Sequence, residues 1–582
     1  MKSTPSWVGL GAAIAIGTSI AVLAPLAAGA APTPDSGPVA GGTTVSLDCA
    51  EISPLRTFAA GGFNAMVITK DDRVLTWGDG QWGATAGGGS SLPAPISAGE
   101  LPPGTEIVDA DYDLWDGYVL TSTGDIYGWG LNASGQLGVG TFFPDQFSSP
   151  VKVLRGAIPA GVKPVSLAIG SGRAAVLADD GWVYAWGESL VGDGTGALRS
   201  TPVAVARGQV PAGVTFTQIA NGNFNTYGLG TDGWIYAWGS DFEGSNGNGI
   251  PGDARRPVRV AQGAVPAGVT FTQVAAGSGV GYGLATDGSI YAWGYNGNGV
   301  LGVGDPGVAS TPTPVRVATG QIPAGTTITK IVANEFHTVA LASDGSMYSW
   351  GNNADGQLGD GSTATAYAPV AVDTSDIPAG VKIRDVEVGL RASYGWGSDG
   401  RLYSWGGLSD PAQLGSNASE GRTRPGLAVS FAVTTVTFDG IPGTDLDAST
   451  CPITVVTPPH ASGPVDVSAT AAILAGTTPT SVAVTTVFPA GFTYIDSPTP
   501  TPTPTASSTP TATPTPTPTP TATPSPTATA AAPPAGRGPD DGTTASALAV
   551  TGLPGLPIVL ASAVGALLAV GGVVLLRKRR RA

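Results

Sequence analysis

The sequence predicts an all-β protein built around a seven-bladed β-propeller, and three observations lead there. Seven Trp-Gly pairs recur, at Trp77-Gly78, Trp129-Gly130, Trp186-Gly187, Trp238-Gly239, Trp293-Gly294, Trp350-Gly351 and Trp405-Gly406, with successive tryptophans 52 to 57 residues apart. Such a period marks one supersecondary unit repeated. Glycine is abundant (87 residues) while charged residues are scarce (12%), which suits a protein with many tight turns. Each unit also holds short β runs separated by turn residues, and four strands in about 50 residues make a blade.

The elements of a unit follow in order. "FTQIANGNFNTYGLGTDGWIYAWG" (216–239) aligns with residues 271–294 and 328–351. Each contains two β runs joined by Asp-Gly, at Asp232-Gly233, Asp287-Gly288 and Asp344-Gly345, a strong hairpin signal. After Trp-Gly come N-x-x-G-Q-L-G-x-G segments (Asn132 to Gly140, Asn353 to Gly361, and more loosely Asn296 to Gly304). A further strand such as 256–261 follows, then a Pro-Ala-Gly turn beginning at Pro159, Pro211, Pro266, Pro323 or Pro378. The Trp-Gly pairs themselves read as structural, the indole packing between blades.

These residues closely resemble the regulator-of-chromosome-condensation repeat, and the match covers 55–428. The resemblance implies a closed seven-bladed ring. That family favours a histidine thirteen residues before the tryptophan; here His337 keeps it, while Asn64, Asp116, Arg173, Asn225, Val280 and Ala392 stand elsewhere. The departure suggests loop faces free to vary, as binding surfaces are.

The chain ends bound the location. Lys2, an apolar run from Val8 to Leu26 and Ala28-Gly29-Ala30 read as a signal peptide over 1–30. The Pro/Thr tract over 497–547 cannot bury a core and reads as a disordered, extended stalk, reaching on the order of 150 Å at about 3.1 Å per residue. Leu556 to Leu576 is long and apolar enough to span a bilayer as a transmembrane helix. Arg577 to Arg581 follow it on the cytoplasmic side. Leu548, Ala549, Val550, Thr551 and Gly552 precede that span, and the order of pentapeptide (548–552), apolar span and basic tail (553–582) resembles a sortase sorting signal. Ala549 stands where the commonest form has proline, and L-A-x-T-G is similar to the variant of high-GC Gram-positive bacteria. The resemblance implies cleavage between Thr551 and Gly552 and transfer of the Thr551 acyl group to peptidoglycan. A plain membrane anchor remains the alternative.

Segments 31–54 and 429–496 flank the repeats. "SGPVAGGTTV" (36–45) together with "VTFDGIP" (436–442), "TPPHASGPVDV" (457–467) and "GFTYID" (491–496) resemble the two parts of a TIG-type immunoglobulin-like β-sandwich into which the propeller is inserted. Cys49 and Cys451, the only cysteines, fall one in each part. In an exported protein a pair so placed reads as a disulfide, two free thiols being the alternative.

Chemistry is sparse. Two histidines, His337 and His460, each have a place in a structural motif, and no nucleophile–histidine–acid set, phosphate loop or dinucleotide fingerprint appears. No cofactor, metal or catalytic residue is assigned. "DADYDLWDG" (109–117) opens like a calcium loop, but Leu114 and Leu120 stand where the turn glycine and bidentate glutamate belong, so a solvated acidic loop is the expectation. Processing at both ends removes six cations and no acid, taking the formal charge from −15 to −21, which disfavours nucleic acid. Aromatics on variable loops are the candidate partner contacts: Phe63, Trp82, Trp115, Phe142, Phe143, Phe224, Phe242 and Phe336.

The expectation is therefore an exported, wall- or surface-anchored, non-catalytic binding or adhesion protein of a Gram-positive actinobacterium. Sortase would process it, and an extracellular protein or glycan would be its ligand. The alternatives are a secreted enzyme inhibitor, since a secreted propeller with these repeats inhibits β-lactamases, and a propeller enzyme acting on glycans. Export excludes in practice the guanine-exchange activity of nuclear proteins with this repeat.

Overall fold

The computed structural model describes residues 31–80, 84–85 and 88–496. The signal segment, Pro/Thr tract, sorting motif, C-terminal apolar run and Trp82 lie outside the described residues. Among the described residues no helix is long and apolar enough to cross a membrane.

The alternation of apolar runs and turn residues produces seven antiparallel four-stranded meanders, one after another along the chain. Blade four is typical. Its strands Phe216–Asn221, Asn225–Gly230, Ile235–Gly239 and Ala254–Arg259 pair in sequence order. Gly233 takes the turn at φ 76°, and the Asp232 carboxylate accepts from Trp234 N and Tyr236 Oη, closing the hairpin. Every residue of the second strand is buried, because each blade is covered on both faces by its neighbours.

The Trp-Gly pairs join blade to blade. All seven indoles are 0% exposed. Six donate from Nε1 to a loop carbonyl of the preceding blade: Trp77 to Gln413, Trp129 to Ala84, Trp186 to Gln136, Trp293 to Ser245, Trp350 to Val300 and Trp405 to Gln357. The same six carbonyls each accept a second bond, from Tyr394, Tyr112, Tyr118, Tyr227, Tyr282 and Ser393 respectively. The glycine after the tryptophan lets the backbone close in: at Gly239, with φ 126°, a Cβ would lie 2.3 Å from Phe224 O.

Blade one (from Leu55) and blade seven (from Ile383) are each built from consecutive strands, so no exchanged strand locks the ring. Closure falls to packing and to the flanking segments. Leu390 N donates to Gly62 O across the seam. Leu55, Trp77, Tyr394, Leu402, Ile473, Val482 and Val484 share one core there, the last three lying beyond the propeller.

The flanking segments form a base of two packed sheets. Ser36–Pro38, Thr478–Ile495, Gly463–Ala475 and Arg422–Phe438 pair side by side, facing Thr44–Leu47, Ile453–Val456 and Thr444–Asp447. Residues before the propeller thus pair with residues after it, Thr44–Leu47 antiparallel to Ile453–Val456. The strand Arg422–Phe438 pairs with blade seven through residues 422–429 and with the base through 429–438, so one strand belongs to both. Cys49 and Cys451 are bonded, their Cα atoms 5.8 Å apart. They tie the chain just before blade one to the chain after blade seven.

Candidate functional site

In an antiparallel meander the first–second and third–fourth connections leave at the same end, so seven blades present both sets on one face of the ring. The residue before the second strand is Phe63, Trp115, Gly172, Phe224, Gly279, Phe336 and Arg391 in blades one to seven. The four aromatics among them are half-buried. Phe242, from the third–fourth connection of blade four, is 40% exposed and stacks on Phe224 with centroids 4.9 Å apart. It also meets Tyr295 of blade five at 5.4 Å. Gly279 makes this possible, since a Cβ there would lie 2.7 Å from the Phe242 ring. The Arg391 guanidinium lies 5.9 Å from the Phe63 ring. In blade two Phe142 is half-buried over Gly135, while Phe143 is exposed.

The seven innermost strands surround a central channel with a cavity of about 130 Å³ at this face. That is well below the roughly 300–1,000 Å³ that encloses a small-molecule ligand. A polar side chain at the third position of the inner strand serves the fold. Asp109 accepts from Leu167 N at 2.8 Å and Gln273 accepts from Ile331 N at 3.0 Å. Lys330 donates to Asp385 at 2.6 Å and Glu387 at 2.8 Å. Two positions further along, Asp111 accepts from Ile169 N at 2.8 Å. Each of these bonds crosses from one blade to the next.

The acidic stretch is therefore not the solvated loop its composition suggests. Asp109, Asp113 and Asp116 are 3%, 8% and 1% exposed, because the stretch is the inner strand of blade two and the residues that turn into its second strand. Burial pushes Asp109 and Asp116 well above the carboxylate range, and Asp111 and Asp113 to about 7. Backbone donors hold Asp111 back and Glu387 pushes it further up; Glu335 adds to the rise of Asp113. Burial also raises Glu335. Arg173, buried in blade three, donates from Nη1 to Phe224 O at 2.9 Å, and burial lowers its pKa against the pull of Glu188 and Asp113. Among the described residues no group of three or more His, Cys, Asp or Glu side chains is placed to hold a metal ion.

A second expectation is corrected at the histidine position. Asn64, Asp116, Arg173, Asn225, Val280, His337 and Ala392 each open the second strand of a blade and are at most 4% exposed. Their variety reflects different solutions to packing between blades, not a variable loop surface. Sequence reasoning missed three residues of the face: Glu335, Tyr295 and Arg391. Position relative to the repeat could have found them, since Tyr295 directly follows Trp293-Gly294 and Glu335 stands two before His337.

Comparison with known proteins agrees with this geometry. The pattern of the regulator of chromosome condensation (RCC1) repeat matches residues 123–177, 287–341 and 344–396, and a second pattern of the same repeat matches 328–357. The chain carries RCC1 repeats. The ultraviolet-B receptor UVR8 of Arabidopsis thaliana is 27% identical over 396 residues, 67% of this chain and 84% of the receptor. Human regulator of chromosome condensation is 26% identical over 375 residues, 61% of this chain and 85% of that protein. Among solved structures, Prp20p from Saccharomyces cerevisiae aligns with a TM-score of 0.52 at 21% identity, covering 67% of this chain and 92% of its own. That likeness shows the propeller fold alone. The RCC1 repeats thus account for the ring.

Proposed function

We propose that this is a non-catalytic binding protein whose contact surface is the propeller face carrying Phe63, Trp115, Phe224, Phe242 and Phe336. One observation carries the reading: aromatic side chains recur at one repeat position around a channel too small to enclose a substrate. Aromatic anchors on a broad face suit a macromolecular partner. A screen of the full chain against extracellular proteins and glycans tests it. The double variant Phe224→Ala/Phe242→Ala should weaken capture of the partner at least about tenfold, which is about 1.4 kcal/mol. Unchanged capture sinks the reading.

The setting we infer is the wall of a Gram-positive actinobacterium. The signal peptide would export the chain and the TIG-type base would carry the propeller. The Pro/Thr stalk would extend it, and sortase would join Thr551 to peptidoglycan. The L-A-V-T-G motif followed by an apolar run and five cations supports this. Muramidase should release the protein from walls, and Thr551→Ala should leave it in the membrane fraction; wall linkage surviving that change rules sortase out.

A glycan-cleaving enzyme is the second reading, and Asp113, raised to about 7, is the group that favours it as a general acid. Its partner carboxylate would have to face it across a sugar. Turnover of wall or environmental glycans, abolished by Asp113→Asn, would establish that reading.

A further inference from the structure

The mouth of the channel holds negative charge that the fold does not use. Around the inner strands the polar side chains are committed to a neighbouring blade: Asp109 to Leu167, Asp111 to Ile169, Gln273 to Ile331, Lys330 to Asp385 and Glu387. Asp113 and Glu335 stand apart. Both line the cavity. Asp113 is 8% exposed; Leu114 N donates to its carboxylate, while its Oδ2 has no hydrogen-bond partner. Glu335 makes no side-chain hydrogen bond or ion pair among the described residues. The nearby cation, Arg173, is shared with Glu188 and already donates to Phe224 O.

A buried carboxylate with one oxygen left unpartnered costs stability unless a counter-charge reaches it. The cavity decides what can bring one. About 130 Å³ accommodates on the order of four waters, room for the end of one side chain but not for a sugar chain. The rim decides the rest. Phe224 and Phe336 belong to the two blades whose connections also carry Asn223 and Glu335 into the cavity wall. An aromatic face close to a cation attracts it, and Arg391 already lies over Phe63 on this face. The broad aromatic surface beyond the mouth matches a folded polypeptide better than a free amine, and the chain's acidity repels nucleic acid.

We propose that the channel mouth is the anchor site for one basic side chain, lysine or arginine, of a polypeptide partner, with Asp113 and Glu335 as its counter-charges and Phe224 and Phe336 as its rim. This deepens the binding reading given above and rests on it.

Octalysine is the probe, with fully acetylated octalysine as its uncharged counterpart, titrated calorimetrically at pH 8 into the full chain in detergent. Saturable binding of octalysine and none of the acetylated peptide is expected. Asp113→Asn/Glu335→Gln should weaken octalysine at least about tenfold. Asp376→Asn/Glu106→Gln, an equal charge change at exposed positions in the connections of the opposite face, should leave it within about twofold. Because Asp113 is buried, Glu335→Gln alone provides a check: it should weaken binding several-fold with the unfolding midpoint unchanged. No binding by the wild type, or equal losses in the mouth and control pairs, overturns the anchor. The broader binding reading fails separately, if Phe224→Ala/Phe242→Ala leaves partner capture intact.

Discussion

His337 Nε2 lies 2.6 Å from Ser393 Oγ across the seam between blades six and seven, and this contact sets the tautomer of the imidazole. The one hydroxyl hydrogen of Ser393 is donated to Gln357 O at 2.9 Å, so toward the ring Oγ accepts. Nε2 therefore carries the hydrogen. Nδ1 is bare, buried and without a partner. A second proton would put an uncompensated charge in the blade core, and burial accordingly pushes the pKa from 6.5 down to about 3.

The sign of the pH effect follows. The folded pKa lies below the unfolded one, so the stability held by the neutral ring is present above pH 6.5 and is lost as the pH falls toward 3. His337→Asn removes the titration while keeping a donor, as Asn64 and Asn225 do at the same repeat position. Between pH 7.5 and 5 the wild type should lose about 2 kcal/mol more than the variant. Urea midpoints at the two pH values measure this, and equal losses would remove His337 from the account.

Trp238 is the exception among the seven indoles, since its Nε1 has no partner. The cause lies in blade three. From Trp186 to Gly192, the glycine beneath the Trp238 ring, is three residues shorter than from Trp129 to Gly138. Leu190 occupies the acceptor position with φ 67°, and Ala175 replaces the tyrosine that would share the carbonyl. Trp186→Phe gives up a hydrogen bond as well as volume, whereas Trp238→Phe gives up volume alone and relieves a buried orphan donor. The first should be more destabilising by about 1 kcal/mol in chemical denaturation. Equal costs would mean that the indole bonds contribute nothing net.

The ring was legible because its determinants are periodic: Trp-Gly for the blade seam, Asp-Gly for the hairpin. What escaped was anything set by depth. Asp109 and Asp111 look solvated in sequence, yet the strand carrying them is innermost, and their carboxylates bond Leu167 N and Ile169 N of another blade. No local pattern announces a partner 58 residues away. The loop aromatics were readable as a set, but the stacking of Phe224 on Phe242 depends on the absent side chain of Gly279, which only the packed neighbour reveals. The continuity of Arg422–Phe438 between propeller and base was hidden for a simpler reason: a strand that serves two sheets looks like one apolar run.

The Cys49–Cys451 bond spans 402 residues of sequence, and the ring it closes has no exchanged strand. Restraining so long a loop lowers the entropy of the unfolded chain, with a typical stabilisation of about 2–4 kcal/mol. Cys49→Ala/Cys451→Ala should be destabilised by that amount in guanidinium. Since the core joining Trp77 and Tyr394 to Ile473 and Val482 sits at the same seam, hydrogen exchange should speed up first in blades one and seven. Uniform acceleration over all seven blades would show that the bond does not act at the closure.

Asp113 tests whether the channel mouth is held at a cost. Burial raises its pKa from 3.8 to about 7, so its favourable contribution, the protonated form, is complete below pH 3.8 and is lost as the pH rises through 7. Asp113→Asn keeps the shape and removes the charge. The variant should be more stable than the wild type at pH 8 by on the order of 1–3 kcal/mol, with the difference vanishing near pH 4. A stability gain at pH 8 together with weaker octalysine binding is the pattern expected where a destabilised group is kept for recognition. If Asp113→Asn is instead destabilising at pH 8, the carboxylate has an internal partner and the mouth is part of the scaffold.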